Sequence, residues 1–267
     1  MTPLGAFGEE AVSTAPLSLS GANGALESYA TTQALTMEAG KYAVFHTTAG
    51  DFIVRLHDKE APQTVENFVG LAKGNKKWTH PISLTEKVQP LYNNTAIYEI
   101  VKNIVIRGGD PIDKGTGGPG YSIPLETSPN LMFDGPGVLA MQGNTKESNG
   151  SRWFISMVPF PDWNGRYAIF GRVVGGLDVV FGISRMPTKR PSTPLEATLL
   201  NSIEIVEIPE GKQTTASFSV EDGRKVLTVE KNMTDVAAAP EAAPAPAEPA
   251  PATNSGEAAT SAPAASN

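Results

Sequence analysis

The run Gly-Gly-Asp-Pro-Ile-Asp-Lys-Gly-Thr-Gly-Gly-Pro-Gly-Tyr, Gly108 to Tyr121, holds six glycines and two prolines in fourteen residues. Neither a helix nor a regular strand tolerates that composition. Glycine is needed where φ turns positive or where another backbone comes close, and proline fixes φ between such points. The run therefore predicts a shaped loop with one compact path, leaving the apolar stretch Ile104-Val105-Ile106.

Working outward, Tyr42 to Thr48, the turn Ala49-Gly50 and Asp51 to His57 read as strand, tight turn, strand, with β-branched and aromatic residues around a glycine. His46 and His57 fall in these strands as surface or half-buried positions. Ala61-Pro62 opens a helix, Val65, Phe68, Val69 and Ala72 give it an apolar stripe, and Gly74 closes it. A polar connection from Asn75 to Asn94 leads to a strand pair, Thr95–Val101 and Asn103–Arg107, that enters the glycine loop. A second helix is expected around Gly176 to Ser184, carrying Leu177, Val180 and Phe181, and Leu199 to Ile208 alternates as a closing strand. A further hairpin, Ser217–Val220 with Lys225–Val229, turns at Asp222-Gly223. Short strands, glycine turns and two helices predict an all-β dominated, closed antiparallel barrel.

Composition narrows the chemistry. There is no cysteine among the 267 residues, so disulfides, thiol nucleophiles and cysteine-held zinc are excluded. The three histidines, His46, His57 and His80, show no metal-ligand spacing, and neither a metal nor a cofactor is expected. With a net charge of -7 and no basic cluster interleaved with aromatics, nucleic acid is not an expected partner. No stretch approaches the ~18 apolar residues of a membrane span. Met1 to Gly5 lacks a basic, apolar leader, so the chain as written reads as cytoplasmic; a mature periplasmic chain with its leader removed would read the same. Residues 1–40, rich in Ala, Ser, Thr and Gly, are expected to be a flexible lead. Residues 236–267, almost wholly Ala, Pro, Ser, Thr and Glu, are expected to be a disordered acidic tail after a 209–235 hairpin extension.

Two more segments follow the glycine loop in a specific order: Gly137 to Met157, GVLAMQGNTKESNGSRWFISM, and Asn164 to Val173, NGRYAIFGRV. Together the three motifs resemble a bacterial-type cyclophilin, a peptidyl-prolyl cis-trans isomerase, over about residues 41–208. The resemblance implies a closed eight-stranded antiparallel barrel capped by two helices, with a packed interior and a substrate groove on its outer wall. It also implies a monomer acting on proline-containing polypeptides.

Prolyl isomerisation needs no nucleophile. Its barrier is amide conjugation, so a site lowers it by binding a twisted imide and offering a donor to the proline nitrogen as the lone pair localises. In cyclophilins that donor is the arginine of a Phe-His-Arg run; the aligned run here is Ile97-Tyr98-Glu99. An ionised glutamate donates no hydrogen bond. The family's substrate-touching Met and Gln become Val105 and Arg107, so a guanidinium stands on the neighbouring strand. Phe154 keeps the place of the family's pocket floor, Tyr167 that of a pocket histidine, and the indole of the family's Trp-Leu pair is shifted, Asp162-Trp163. Met141 is placed in the same pocket, and Gln142-Gly143-Asn144 correspond to the asparagine-bearing strand. Two readings of Glu99 and Arg107 stay open: a cross-strand ion pair on the barrel wall, or a positional swap in which Glu99 orients Arg107 as the donor. Accordingly the expected function is a weakened peptidyl-prolyl isomerase, and the alternative is a non-catalytic module that holds a partner protein.

Overall fold

The computed structural model describes residues 33–143, 149–189 and 192–236. The chain divides into two units, Met1–Asp235 and Val236–Asn267, and the fold below is that of the first. Most of the expected lead, residues 1–32, and of the expected tail, residues 237–267, lies outside the described residues.

Strands β1 (Gln33–Met37), β2 (Gly40–Thr47) and β3 (Gly50–Leu56) precede helix α1 (Pro62–Lys73). The short pair β4 (Trp78–Thr79) and β5 (Glu86–Lys87) follows, then β6 (Thr95–Ala96), β7 (Glu99–Val101), β8 (Val105–Gly108), β9 (Val138–Met141), β10 (Trp153–Ser156) and β11 (Ile169–Gly175). Helix α2 (Leu177–Ser184), the pair β12 (Thr188–Lys189) and β13 (Thr193–Pro194), β14 (Leu199–Ile208), β15 (Lys212–Glu221), β16 (Arg224–Val229) and β17 (Thr234–Asp235) complete it.

The principal sheet runs β6-β14-β2-β3-β11-β9-β10-β8-β7, every pair antiparallel. Its two ends belong to one stretch of chain. Thr95 pairs with Leu200 of β14 while Glu99 pairs with Arg107 of β8, so Thr95–Val101 closes the sheet on itself. Counted once, that stretch makes the nine strands eight, and the barrel removes its own edges.

Alternation along each strand sorts side chains between interior and wall. On β9, Leu139 and Met141 enter the interior cluster, whereas Val138 and Ala140 join a separate cluster on the outside. The interior is aromatic: Phe45 stacks on Phe52 at 4.6 Å and meets Trp153 edge-on at 5.4 Å. Both helices bury faces in this cluster. On α1 the inward face is Val65, Phe68, Leu71 and Ala72; Val69, expected in the stripe, is only half-buried and Leu71 takes the inward place. Glu126 accepts hydrogen bonds from the N–H groups of Gln63 and Thr64, giving α1 the negative charge its own first turn lacks.

A second sheet lies against the outside of β2 and β3. β15 and β16 form a hairpin turned at Asp222 (φ 49°) and Gly223 (φ 75°), two successive left-handed residues whose twist matches the strands they join. β1 adds to the free side of β15, with Gln33 opposite Phe218 and Met37 opposite Thr214. Residues 33–37, placed in the flexible lead by the sequence, are therefore a strand of this sheet. The cause is burial: Met37, Phe218 and Leu227 pack with Val44 and Ile53 on the barrel wall, and each such side chain contributes about 1.5–3 kcal/mol. Asp51, buried at the β2–β3 turn, fastens the sheet further by accepting the Leu227 N–H at 3.0 Å.

Candidate active site

The glycine loop is organised by one carboxylate. Asp110, fully buried, accepts hydrogen bonds from the N–H groups of Ile112, Lys114, Thr116 and Gly117. A side chain at Gly117 would strike that carboxylate, which accounts for the glycine. Asp113 then reaches back to accept the Ala96 N–H at 2.7 Å, tying the loop to the strand that closes the barrel; burial raises its pKa. Ser151 donates to the Gly109 carbonyl at 2.7 Å and joins the loop to β10.

Next to this loop the outer wall carries a row of directly opposed residues across four strands: Glu99, Arg107, Phe154 and Ala140. Opposed residues share a face, so Arg107 stands between Glu99 and Phe154 in this row. Arg107 Nη1 donates to Glu99 Oε2 at 2.7 Å, and Ser192 Oγ donates to Glu99 Oε1 at 3.2 Å. Both side chains are half-buried, and Arg107 Nε is buried without a partner among the described residues.

Phe154 is enclosed by aromatics. Phe133 stacks on it at 5.8 Å, while Trp163 and Tyr167 meet it edge-on at 5.5 and 5.2 Å. Val105 packs beneath this group, and Phe160 stacks on Trp163 at 4.0 Å. Asn164 accepts the Phe133 N–H at 2.8 Å, which pins the Phe133 segment to the turn after Trp163. Only 2% of Phe154 remains exposed.

The structure thus gathers Glu99, Arg107, Phe154, Val105, Trp163 and Tyr167 on one wall. Met141 does not join them. With no exposed surface it sits inside the barrel, because period-2 alternation turns it away from Ala140, and it supports the wall instead of lining a pocket. Gln142 accepts a hydrogen bond from the Tyr98 hydroxyl, and Gly143 lines a neighbouring cleft. Asn144 lies outside the described residues.

Sequence reasoning gave no role to Tyr98, Phe133 or Arg152. Burial raises the Tyr98 pKa, keeping the phenol protonated and a donor. Arg152 immediately precedes β10, two residues before Phe154, and donates to the Gly115 carbonyl of the glycine loop. Phe133 had no local signal: it comes from a loop and is identified only by what it touches. Beyond Arg152 a cleft of about 510 Å³ opens between the glycine loop, Gly143 and the residues Pro81 and Leu84. Among the described residues no group of three or more His, Cys, Asp or Glu is placed to hold a metal ion.

The family description "Cyclophilin type peptidyl-prolyl cis-trans isomerase/CLD" matches residues 42–205. The chain belongs to the cyclophilin family. Peptidyl-prolyl cis-trans isomerase B of Streptomyces anulatus is 38% identical over 167 residues, covering 61% of this chain and 95% of that one. Peptidyl-prolyl cis-trans isomerase A of Mycobacterium tuberculosis (strain ATCC 25618 / H37Rv) is 37% identical over 165 residues, 61% of this chain and 91% of that one. The crystal structure of a cyclophilin type peptidyl-prolyl cis-trans isomerase from Cryptosporidium parvum superposes with a TM-score of 0.55 at 26% identity, covering 63% of this chain and 99% of the other. A second structure of that protein, determined in the presence of the dipeptide Ala-Pro, matches with the same TM-score over 62% of this chain and 99% of the other. The cyclophilin match takes in the barrel and stops short of β1, β15 and β16, so the second sheet is an addition to the family domain. By membership, then, this cyclophilin is a peptidyl-prolyl isomerase.

Proposed function

We propose that this cyclophilin isomerises prolyl bonds in polypeptides at a reduced rate, with Arg107 as the donor to the proline nitrogen and Glu99 as the group that positions it. The observation that carries the reading is the Glu99–Arg107–Phe154 row. A guanidinium is a fixed fork of donors and stays charged, whereas Glu99 alone offers none. The carboxylate holds Nη1 and so restrains the fork on the row that carries Phe154. The rate is reduced because this donor stands one strand away from the family's position, which Glu99 occupies.

One observation favours the second reading, a module that binds without catalysing. Phe154 is enclosed by Phe133, Trp163 and Tyr167, so a proline ring reaches it only if one of these, such as Phe133, moves. Exchange NMR on an Ala-Pro peptide separates the two. Turnover that Arg107→Ala abolishes supports the donor role; an inactive wild type that still binds the peptide supports the module.

A further inference from the structure

The three most exposed large apolar side chains among the described residues are Leu84 (76%), Ile82 (67%) and Val88 (66%), and all lie within one short stretch. That stretch is held in a single shape. β4 and β5 pair Trp78 with Lys87 and Thr79 with Glu86, the buried Trp78 donates to the Gln89 carbonyl at 2.9 Å, and the Thr79 N–H donates to Pro119 of the glycine loop at 2.8 Å. At the tip, His80 accepts hydrogen bonds from the N–H groups of Ile82 and Ser83 on Nδ1 and from the Leu84 N–H on its carbonyl. Leu84 itself has φ +53°, a left-handed backbone that strains leucine and that glycine or asparagine would adopt freely. A knotted tip that tolerates strain to hold large apolar groups in water is the kind of surface a partner covers.

Its position says what covers it. Pro81 and Leu84 form the rim of the cleft whose far wall includes Arg152, which immediately precedes β10, two residues before Phe154. An extended polypeptide with its proline on the Phe154 wall that runs on past Arg152 enters the cleft rimmed by Pro81 and Leu84. We propose, resting on the isomerase reading above, that Ile82, Leu84 and Val88 form a docking ridge for large apolar side chains of an unfolded polypeptide flanking the target proline. This cyclophilin then selects extended apolar segments over prolines in short or polar peptides.

The test uses the full chain and three probes: a short Ala-Pro peptide, a peptide of about fifteen residues with leucines flanking one Ala-Pro bond, and its serine-substituted twin. Exchange NMR gives kcat and KM for each, and fluorescence anisotropy gives binding. The expected result is a roughly fivefold lower KM for the leucine peptide than for its twin, lost in an Ile82→Ser/Leu84→Ser/Val88→Ser variant whose rate on the short peptide and melting temperature match wild type. Equal KM values for the two long peptides in the wild type, or a preference that survives the triple substitution, overturns the ridge. If no peptide is turned over, the catalytic reading fails, and anisotropy alone judges the ridge by the same leucine preference. Should sedimentation show a dimer that the triple variant abolishes, the ridge is covered by a second copy of this chain and the proposal falls.

Discussion

Glu99 and Arg107 face each other across paired strands, with Arg107 Nη1 2.7 Å from Glu99 Oε2, and the residue opposite Arg107 on its other side is Phe154. The relationship joins the two sequence readings of this pair. It is a cross-strand ion pair, and half-buried pairs of this kind contribute about 1 kcal/mol. It also sets Arg107 on the strand row that carries Phe154.

Substitutions in the pair should behave asymmetrically. Arg107→Ala is expected to abolish isomerisation, Glu99→Gln to lower it only partly because Arg107 keeps its place but loses its brace, and Glu99→Arg to raise it by returning a donor to the family position. Exchange NMR on Ala-Pro peptides measures all three. A gain from Arg107→Ala would remove the donor assignment.

Phe133 shields Phe154, and its removal should have two effects of opposite benefit. Phe133→Ala is expected to cost about 3 kcal/mol of stability, at the low end for truncating a buried aromatic, and to lower KM by uncovering the Phe154 ring. Denaturant melts and peptide titrations read the two separately; an unchanged KM would mean that Phe133 does not gate the ring.

The Tyr98 hydroxyl donates to Gln142 beside the same wall, and burial keeps it protonated. Tyr98→Phe should leave the melting temperature within a few degrees while changing KM more than kcat, since one hydrogen bond of about 1 kcal/mol is at stake. A collapse of kcat with unchanged KM would give Tyr98 a part in the chemistry.

Two histidines should give opposite pH signatures. The hydrogen bond to Asp51, aided by the charges of Asp51 and Glu204 against the cost of burial, raises the His46 pKa. Its stabilising contribution is present below the ordinary value of about 6.5 and is lost as pH rises through the raised one. Burial lowers the His57 pKa, with Arg172 and Arg55 adding to the shift, so its contribution is lost as pH falls from about 6.5 through the depressed value. His46→Gln should therefore flatten the loss of melting temperature on the alkaline side, and His57→Gln the loss on the acid side. Identical profiles for the two variants would contradict both assignments.

Cyclosporin should bind weakly. In the family the drug leans on the arginine and tryptophan whose places are taken here by Glu99 and Asp162, and its ring would compete with Phe133 for the Phe154 face. Calorimetry reads this directly, and tight binding would show that Trp163 rebuilds the groove.

Much of this protein was legible in its sequence because the relevant physics is local. The glycine loop follows from residues that alone accept its backbone angles, α1 from proline at its start and a left-handed Gly74 at its end, and the β15–β16 hairpin from Asp222-Gly223. The family motifs then placed Phe154, Trp163 and Tyr167 together. What only the tertiary structure decided is neighbourhood. Period-2 alternation says that a residue faces one side or the other, yet it does not say which side is the interior, and so Met141 was expected on the wall it supports from behind. Ser192 reaches Glu99 from 93 residues away, Phe133 arrives on Phe154 from a loop, and β1 finds β15 across the length of the barrel. Such contacts depend on burial and pairing between distant segments, which no local pattern of residue types records.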